Sequence, residues 1–285
     1  MKAYLGTAQF GMQYGITNTK GQLPRKDVFD ILDYAFENGI TSLDTAFSYG
    51  ESEKLLGEYD ISRFKISTKL PSLSKHQNVN KHLIKKYLYE SLTRLHLDRL
   101  ENLFIHDVND LISDFSETVF EALEEIRDEN LVNNIGVSIY DPNDLLRIEG
   151  KEILDIIQAP LNVLDRRILD QAYISILDSN RIKLQARSIY LQGLLLQHPD
   201  SIPQSLIMFK HVFYAWHEYV AMLKISKLEG CINYLRPLNF LDSIVTGVSS
   251  LSELKEFISA LSSNYHEISF ENPVELDLID PRKWL

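Results

Sequence analysis

Apolar positions along the chain follow two alternating rhythms. In "ITSLDT" (40–45), "LENLFIHD" (100–107) and "LDSIVTG" (241–247), apolar and small residues crowd into short runs. Between such runs lie longer stretches where apolar residues return every third or fourth place. In "RKDVFDILDYAFENG" (25–39), Val28, Ile31, Leu32, Ala35 and Phe36 share one helical face, and Gly39 ends it. The same reading predicts strands over 2–7, 40–45, 63–70, 100–107, 132–138, 153–160, 181–188 and 241–247. Helices are predicted over 25–39, 51–57, 80–96, 116–130, 141–148, 166–180, 204–230 and 251–263. Ser116 reads as an N-cap and Pro142 as a first-turn residue.

Strands that are apolar throughout are buried on both faces, which is the mark of a parallel sheet flanked by helices. Eight strand-then-helix units in 285 residues predict an α/β fold of the closed (β/α)8 barrel type, a single domain over 1–285. The competing open, doubly wound sheet carries G-x-G-x-x-G after its first strand. Gly6 and Gly11 in "LGTAQFG" do not fit that spacing.

Charge narrows the functional classes. The chain has 40 Asp and Glu against 29 Lys and Arg, a formal net charge of −11. That balance argues against nucleic acid or an anionic membrane as a partner. The one cysteine, Cys231, cannot form an internal disulfide and suits a reducing compartment. Within "KLEGCINYLRPL" it reads as a small buried hydrophobe. No signal-peptide pattern opens the chain and no membrane-length apolar run follows, so a cytoplasmic location is expected.

In a barrel of this kind, chemistry gathers at the C-terminal ends of the strands. Asp44 ends the second strand, with Tyr49 in the loop after it, Lys69 ends the third and His106 the fourth. Neighbouring strands lie about 4.8 Å apart, so these side chains can meet. A free phenol has a pKa of about 10, too high for an efficient proton donor at neutral pH. Lys69 is expected to lower it, Asp44 to neutralise Lys69, and His106 to orient a substrate oxygen or share a proton. Each residue also has a plainer reading: strand-end cap, packed aromatic, solvated charge and satisfied loop histidine. The remaining histidines, His198, His211 and His217 among them, lack ligand spacing, and no metal is expected.

"LDTAFSYG", "STK" and "IHD", in that order on strands two to four, resemble the aldo-keto reductase superfamily. "LGTAQFG", "IGVS", "IIQAPLNVLDRR", "ARSIYLQGLL" and "IVTGVSSLSEL" extend the resemblance over nearly the whole chain. It implies hydride transfer from a nicotinamide cofactor, NADP(H) favoured over NAD(H), to an aldehyde, ketone or sugar carbonyl, with Tyr49 as general acid. The substrate would be a small-molecule carbonyl compound, a sugar or nucleotide sugar included. Cofactor contacts would come from Gly6, Thr7 and Asp44, from Ser138 and Gln158 on the nicotinamide amide, from Ser188, Tyr190 and Gln192 around the pyrophosphate, and from Gly247, Ser249 and Glu253 at the adenosine. Arg187 stands where the family often has an aromatic stacked on the nicotinamide. It suits either stacking or pairing with an anionic substrate. Ile139 replaces the usual Asn. Basic residues that would hold a 2′-phosphate are missing from "TGVSSLSELKEF", where Glu253 would repel it. Two other readings stay open: a regulatory or interaction protein on the same scaffold, and a lyase or isomerase using Lys69 in Schiff-base chemistry. The segment 208–223 reads as mostly core-facing helix, with Tyr214 or Trp216 within reach of substrate. The tail "DPRKWL" reads as too short to close the mouth, with Trp284 packing back on the barrel.

Overall fold

Eight parallel strands pair in chain order, and the last closes on the first. They are β1 (Lys2–Gly6), β2 (Ser42–Asp44), β3 (Lys65–Leu70), β4 (Leu100–Ile105), β5 (Val132–Ser138), β6 (Ile156–Pro160), β7 (Lys183–Arg187) and β8 (Leu241–Gly247). The computed structural model describes residues 1–150 and 153–284. Lys151, Glu152 and Leu285 belong to the predicted domain but lie outside the described residues. Every residue of β2 and β6 is buried, as strands between a filled barrel and its helical coat require.

The helices are α1 (Ala8–Gly11), α2 (Arg25–Glu37), α3 (Ser52–Gly57), α4 (Lys81–Leu95), α5 (Ser116–Asp128), α6 (Asp144–Arg147), α7 (Gln171–Ser179), α8 (Lys210–Met222), α9 (Lys227–Leu235), α10 (Leu251–Ser262) and α11 (Leu276–Ile279). On α2 the predicted positions Val28, Ile31, Leu32 and Ala35 are buried against the sheet. Gly39, with φ of +83°, turns the chain out of that helix. On α4, Asn80 accepts from the Leu83 amide at 2.9 Å as an N-cap.

Several boundaries differ from the sequence reading for local reasons. Ser116 is the first residue of α5 rather than its cap, a place taken by Phe115. Pro142 precedes α6, whose N-cap is Asn143. The stretch 166–180 divides because Asp170 accepts from the Ala172 amide and starts α7 afresh after a 3-10 turn. The long helix over 204–230 is three pieces: a 3-10 segment Gln204–Phe209, then α8, then α9. Lys224 turns at φ +57°, and Ser226 with Glu229 forms a capping box that opens α9.

Apolar side chains form two clusters. The larger fills the space between barrel and helices. The second gathers Leu194, Leu195, Phe213, Trp216, Phe270 and Trp284 under the segment that follows β7 and the C-terminal tail. Trp216 Nε1 donates to the Leu195 carbonyl at 3.1 Å, and Trp284 Nε1 to that of Leu278 at 3.0 Å, so the tail does pack back. Cys231 is buried in the same cluster, as expected. Among the described residues no helix is long and apolar enough to cross a membrane.

The register sets the rim. Gly6 pairs with Asp44 on one side and Gly247 on the other, Ser138 pairs with Gln158, and Pro160 with Arg187. Lower down, α3 presses on α4 so closely that a methyl group on Gly57 would overlap the carbonyl oxygen of Arg94. Since backbone must move to relieve that overlap, Gly57→Ala should cost at least about 1–3 kcal/mol. A lowered urea midpoint with unchanged denaturant slope is the expected result.

Candidate active site

The site is built around a buried ion pair. Asp44 pairs with Ser67 in the β2–β3 register, so Lys69, two residues on, points to the same face one layer nearer the mouth. Its ammonium lies 2.5 Å from Asp44 Oδ1 and donates to the Thr45 carbonyl at 2.9 Å. Lys69 is 1% exposed and Asp44 3%. The other carboxylate oxygen accepts from Gln158 Nε2 at 2.8 Å, which also donates to Gln185 Oε1 at 2.7 Å. Gln185 donates in turn to Ser243 Oγ at 3.0 Å. A continuous polar chain thus runs through the barrel from β3 and β2 to β6, β7 and β8. Burial pulls the Lys69 pKa down, and the Asp44 charge opposes that shift.

Tyr49 is delivered by a loop locked onto the start of the chain. Ser52 Oγ donates to the Thr7 carbonyl at 3.0 Å and lies 3.1 Å from Thr45 Oγ1. The Glu51 amide donates to the Gly11 carbonyl at 3.2 Å. A methyl on Gly11 would overlap the Tyr49 carbonyl, and one on Gly50 would overlap that of Gly11. Gly50 also adopts φ of +56°, where a side chain is strained. Neither glycine was singled out in the sequence for this role; the shared requirement appears only when the two loops meet. The Tyr49 ring then lies 5.1 Å from Lys69 Nζ and 6.1 Å from the His106 ring, edge to face at 83°. The four predicted groups lie together at the rim: Lys69 pairs with Asp44, and the Tyr49 ring lies near both Lys69 and His106.

Their protonation departs from the sequence expectation in one respect. Burial, and then the Asp44 charge, push the Tyr49 pKa up; Arg187 is the cation that pulls it back. Lys69 directs its charge to Asp44 instead of the phenol. Tyr49 is therefore a neutral donor over the whole ordinary pH range. Burial and the cations Lys69 and Arg187 lower the His106 pKa to about 4, against the opposing charge of Asp107. The imidazole is neutral at pH 7.

Two cavities open beside this cluster. A cleft of about 360 Å³ runs from Gly247, Ser249 and Glu253 past Gly6 and Thr7 to Asp44 and Tyr49. Gln158, Arg187, Ser188, Tyr190 and Gln192 line it too, so every predicted cofactor residue except Ser138 faces it. Ser138 opens instead to a second cavity of about 760 Å³, with His106, Tyr140, Arg147 and Arg282. Although Ser138 and Gln158 are register partners, they face different cavities. Both Gln158 N–H donors are engaged, which leaves its carbonyl oxygen for a ligand. Gln192 acts as a clasp: its side chain accepts from the Ile16 amide at 3.2 Å, and its carbonyl accepts from Thr17 Oγ1 at 3.0 Å. Glu253 accepts from the Ser249 amide at 2.6 Å, so a carboxylate of the chain itself occupies the start of α10.

Other assignments change. Tyr214 donates to Asp200 at 2.6 Å and Trp216 is buried; neither lines either cavity, because the break after α8 keeps that helix against the second apolar cluster. The tail does reach the mouth, since Arg282 stacks on Tyr140 and lines the second cavity. Sequence reasoning also missed Gln9, Tyr14, Lys20, Tyr140 and Glu256 as lining residues. Tyr140, directly after "IGVSI", was the most accessible of them, as a polar aromatic at a strand's C-terminal end.

A barrel with a phenol, ammonium, carboxylate and imidazole at its rim, beside a long cleft, defines a class of oxidoreductase. The chain belongs to the aldo/keto reductase family, which it matches over residues 3–276. It is 26% identical over 283 residues to the oxidoreductase YqkF of Bacillus subtilis, covering 92% of this chain and 91% of that one. It is 23% identical over 280 residues to the NADH-specific methylglyoxal reductase of Escherichia coli, covering 86% and 85%. In three dimensions it is similar to an aldo-keto reductase of Bacillus halodurans in its holo form, with a TM-score of 0.73, 19% identity and coverage of 93% and 88%. The chain is thus an oxidoreductase of a family that uses nicotinamide cofactors on small-molecule carbonyl compounds.

Lys69→Met leaves the Asp44 carboxylate buried and unpaired, which should destabilise the fold by roughly 3–5 kcal/mol. Adding Asp44→Asn should return much of that loss, as read by urea unfolding. For His106, the folded pKa lies below the ordinary value of 6.5, so the unfolded chain binds more protons between the two. Its contribution is complete above pH 6.5 and disappears as pH falls towards 4. Burial pushes Asp110 up to about 6, which gives an opposite slope in part of that window. The difference between wild type and His106→Gln isolates the histidine: the variant should lose less stability on acidification. The His106 ring protons should titrate in NMR with a midpoint near 4.

Proposed function

We propose that the chain reduces an aldehyde, ketone or sugar carbonyl to the alcohol, with Tyr49 as the general acid. The observation that supports this reading is the Tyr49 ring, a wall of the cleft, lying 5.1 Å from the Lys69 ammonium and edge to face with His106, a wall of the second cavity. A nicotinamide bound in the cleft supplies the hydride. Neutral His106 donates a hydrogen bond to the carbonyl oxygen and fixes its direction. Tyr49 gives its phenolic proton to that oxygen as negative charge builds there. Arg187 then supplies the cation that favours the phenolate, and Asp44 holds Lys69 in place beside the ring. The Schiff-base alternative needs a free Lys69 amine, whereas Nζ is buried and engaged by Asp44 and Thr45.

The cleft walls fit a dinucleotide. Polar groups from Gly6, Thr7, Ser188 and Tyr190 line its middle, and Leu228 and Phe257 give the α10 end an apolar surface. NADP(H) is the family's usual cofactor, but Glu253 and Glu256 line that same end and oppose a 2′-phosphate by like-charge repulsion. We read the site as accepting NADH at least as well as NADPH. The single, buried cysteine fits action in the cytoplasm.

Tyr49→Phe should retain binding of NADH and NADPH, followed by nicotinamide fluorescence. Its turnover of a test aldehyde should fall by about 10²–10⁴-fold. Full activity in that variant would remove Tyr49 from its role, and failure of both cofactors to bind wild type would remove the reductase reading. Glu253→Gln keeps an acceptor for the Ser249 amide but loses the charge; it should tighten NADPH several-fold more than NADH in the same titration.

A further inference from the structure

Charge is not balanced at the reacting end of the cleft. Lys69 is matched by Asp44 at 2.5 Å. Three other rim guanidinium groups have partners: Arg147 with Asp144 at 2.9 Å, Arg167 with Asp165 at 2.8 Å, and Arg282 with Asp280 at 2.6 Å. Arg187 has no carboxylate partner among the described residues. Its Nη2 donates to the Ile139 carbonyl at 3.0 Å and its Nη1 to Ser188 Oγ at 3.2 Å, both uncharged. Its Nε is buried and donates to nothing. An arginine keeps its charge at any working pH, so this is a permanent cation in a partly enclosed site.

The guanidinium is also fixed in direction. It stacks on Tyr140, with Cζ 3.9 Å from the ring centroid, while Arg282 covers the same ring at 4.7 Å. Tyr140 belongs to the second cavity and Arg187 to the cleft, so the guanidinium stands at their boundary. Tyr49 of the cleft and His106 of the second cavity meet edge to face, and the Arg187 charge acts on both in the lowering direction. In the second cavity, Asp107 and Asp141 accept from Ser72, Asn109 and Asn143 and make no ion pair among the described residues, and Lys75 lines the same space. Of the cations without a carboxylate partner, Arg187 is the one whose charge acts on both Tyr49 and His106.

We propose that the substrate carries an anionic group, a carboxylate or a phosphate, within a few bonds of its reacting carbonyl, and that Arg187 binds it. The proposal rests on the carbonyl-reductase reading of the same site and adds the class of substrate. The planar fork suits either anion through paired N–H donors. The unpaired cation at the reacting centre is then matched once substrate is bound.

The test uses the full chain and matched pairs: succinic semialdehyde with butanal for the carboxylate, and glyceraldehyde 3-phosphate with glyceraldehyde for the phosphate. Binding is read by calorimetry in Tyr49→Phe, where turnover does not interfere. The anionic member of at least one pair should bind about tenfold or more tighter than the neutral one, the ratio of a charge-assisted hydrogen bond. Adding Arg187→Gln should remove that ratio, and Arg187→Lys should restore part of it. Which pair shows the preference distinguishes carboxylate from phosphate. Equal binding within both pairs, or a ratio unchanged by Arg187→Gln, overturns the proposal. So does a result in which Arg187→Gln weakens NADH or NADPH and leaves the ratio alone, since Arg187 would then serve the cofactor. Anion-selective binding by a wild-type chain that turns over neither member of a pair would support this proposal while refuting the reductase reading.

Discussion

The Asp44–Lys69 pair is the constraint around which the rest of the site is arranged. Two opposite charges held almost fully out of water are costly unless each is saturated with partners. Here the saturation is distributed over the barrel: the Thr45 carbonyl accepts a hydrogen bond from the ammonium, Gln158 donates to the second carboxylate oxygen, and Gln185 and Ser243 continue the chain. The polar filling of the barrel's upper end is thus a support for one ion pair. It also fixes what the neighbours can do, because a lysine committed to a carboxylate has little charge left for the phenol. Arg187, from the far side of the barrel, takes over part of that task.

The division into two cavities follows from the same geometry. Adjacent register partners, Ser138 and Gln158, look into different spaces, and the Tyr49–His106 edge contact stands between them. A hydride donor and an acceptor molecule need separate approaches to a common point, and a rim of this shape offers both. The tail contributes through Arg282, which shares the Tyr140 ring with Arg187 and joins the end of the chain to the loop after β5.

The barrel was legible because its strands and most of its helices differ in apolar period, a signal that survives without tertiary context. The candidate catalytic residues were legible because each lies at or just after a strand end that the topology brings to one rim. What escaped was set by contacts between distant segments. The interlock of Gly11 with Gly50 needs both loops to be seen together. The break between α8 and α9 depends on Lys224 adopting a left-handed turn inside a helical-looking stretch, although Ser226 and Glu229 were a readable capping box. The direction of the Tyr49 shift depended on which partner Lys69 prefers, and that is a matter of ångströms that spacing in sequence does not carry. The separation of Ser138 from the cleft is of the same kind.

The clasp at Gln192 has a mechanical consequence. One residue accepts hydrogen bonds from Ile16 and Thr17 through its side chain and its carbonyl, and so rivets the segment after the first stave to the segment after the seventh. These pieces, 175 and 176 residues apart in sequence, behave as one span across the groove. Widening the groove by shifting either side alone breaks both bonds together, so the two sides open as a unit or not at all.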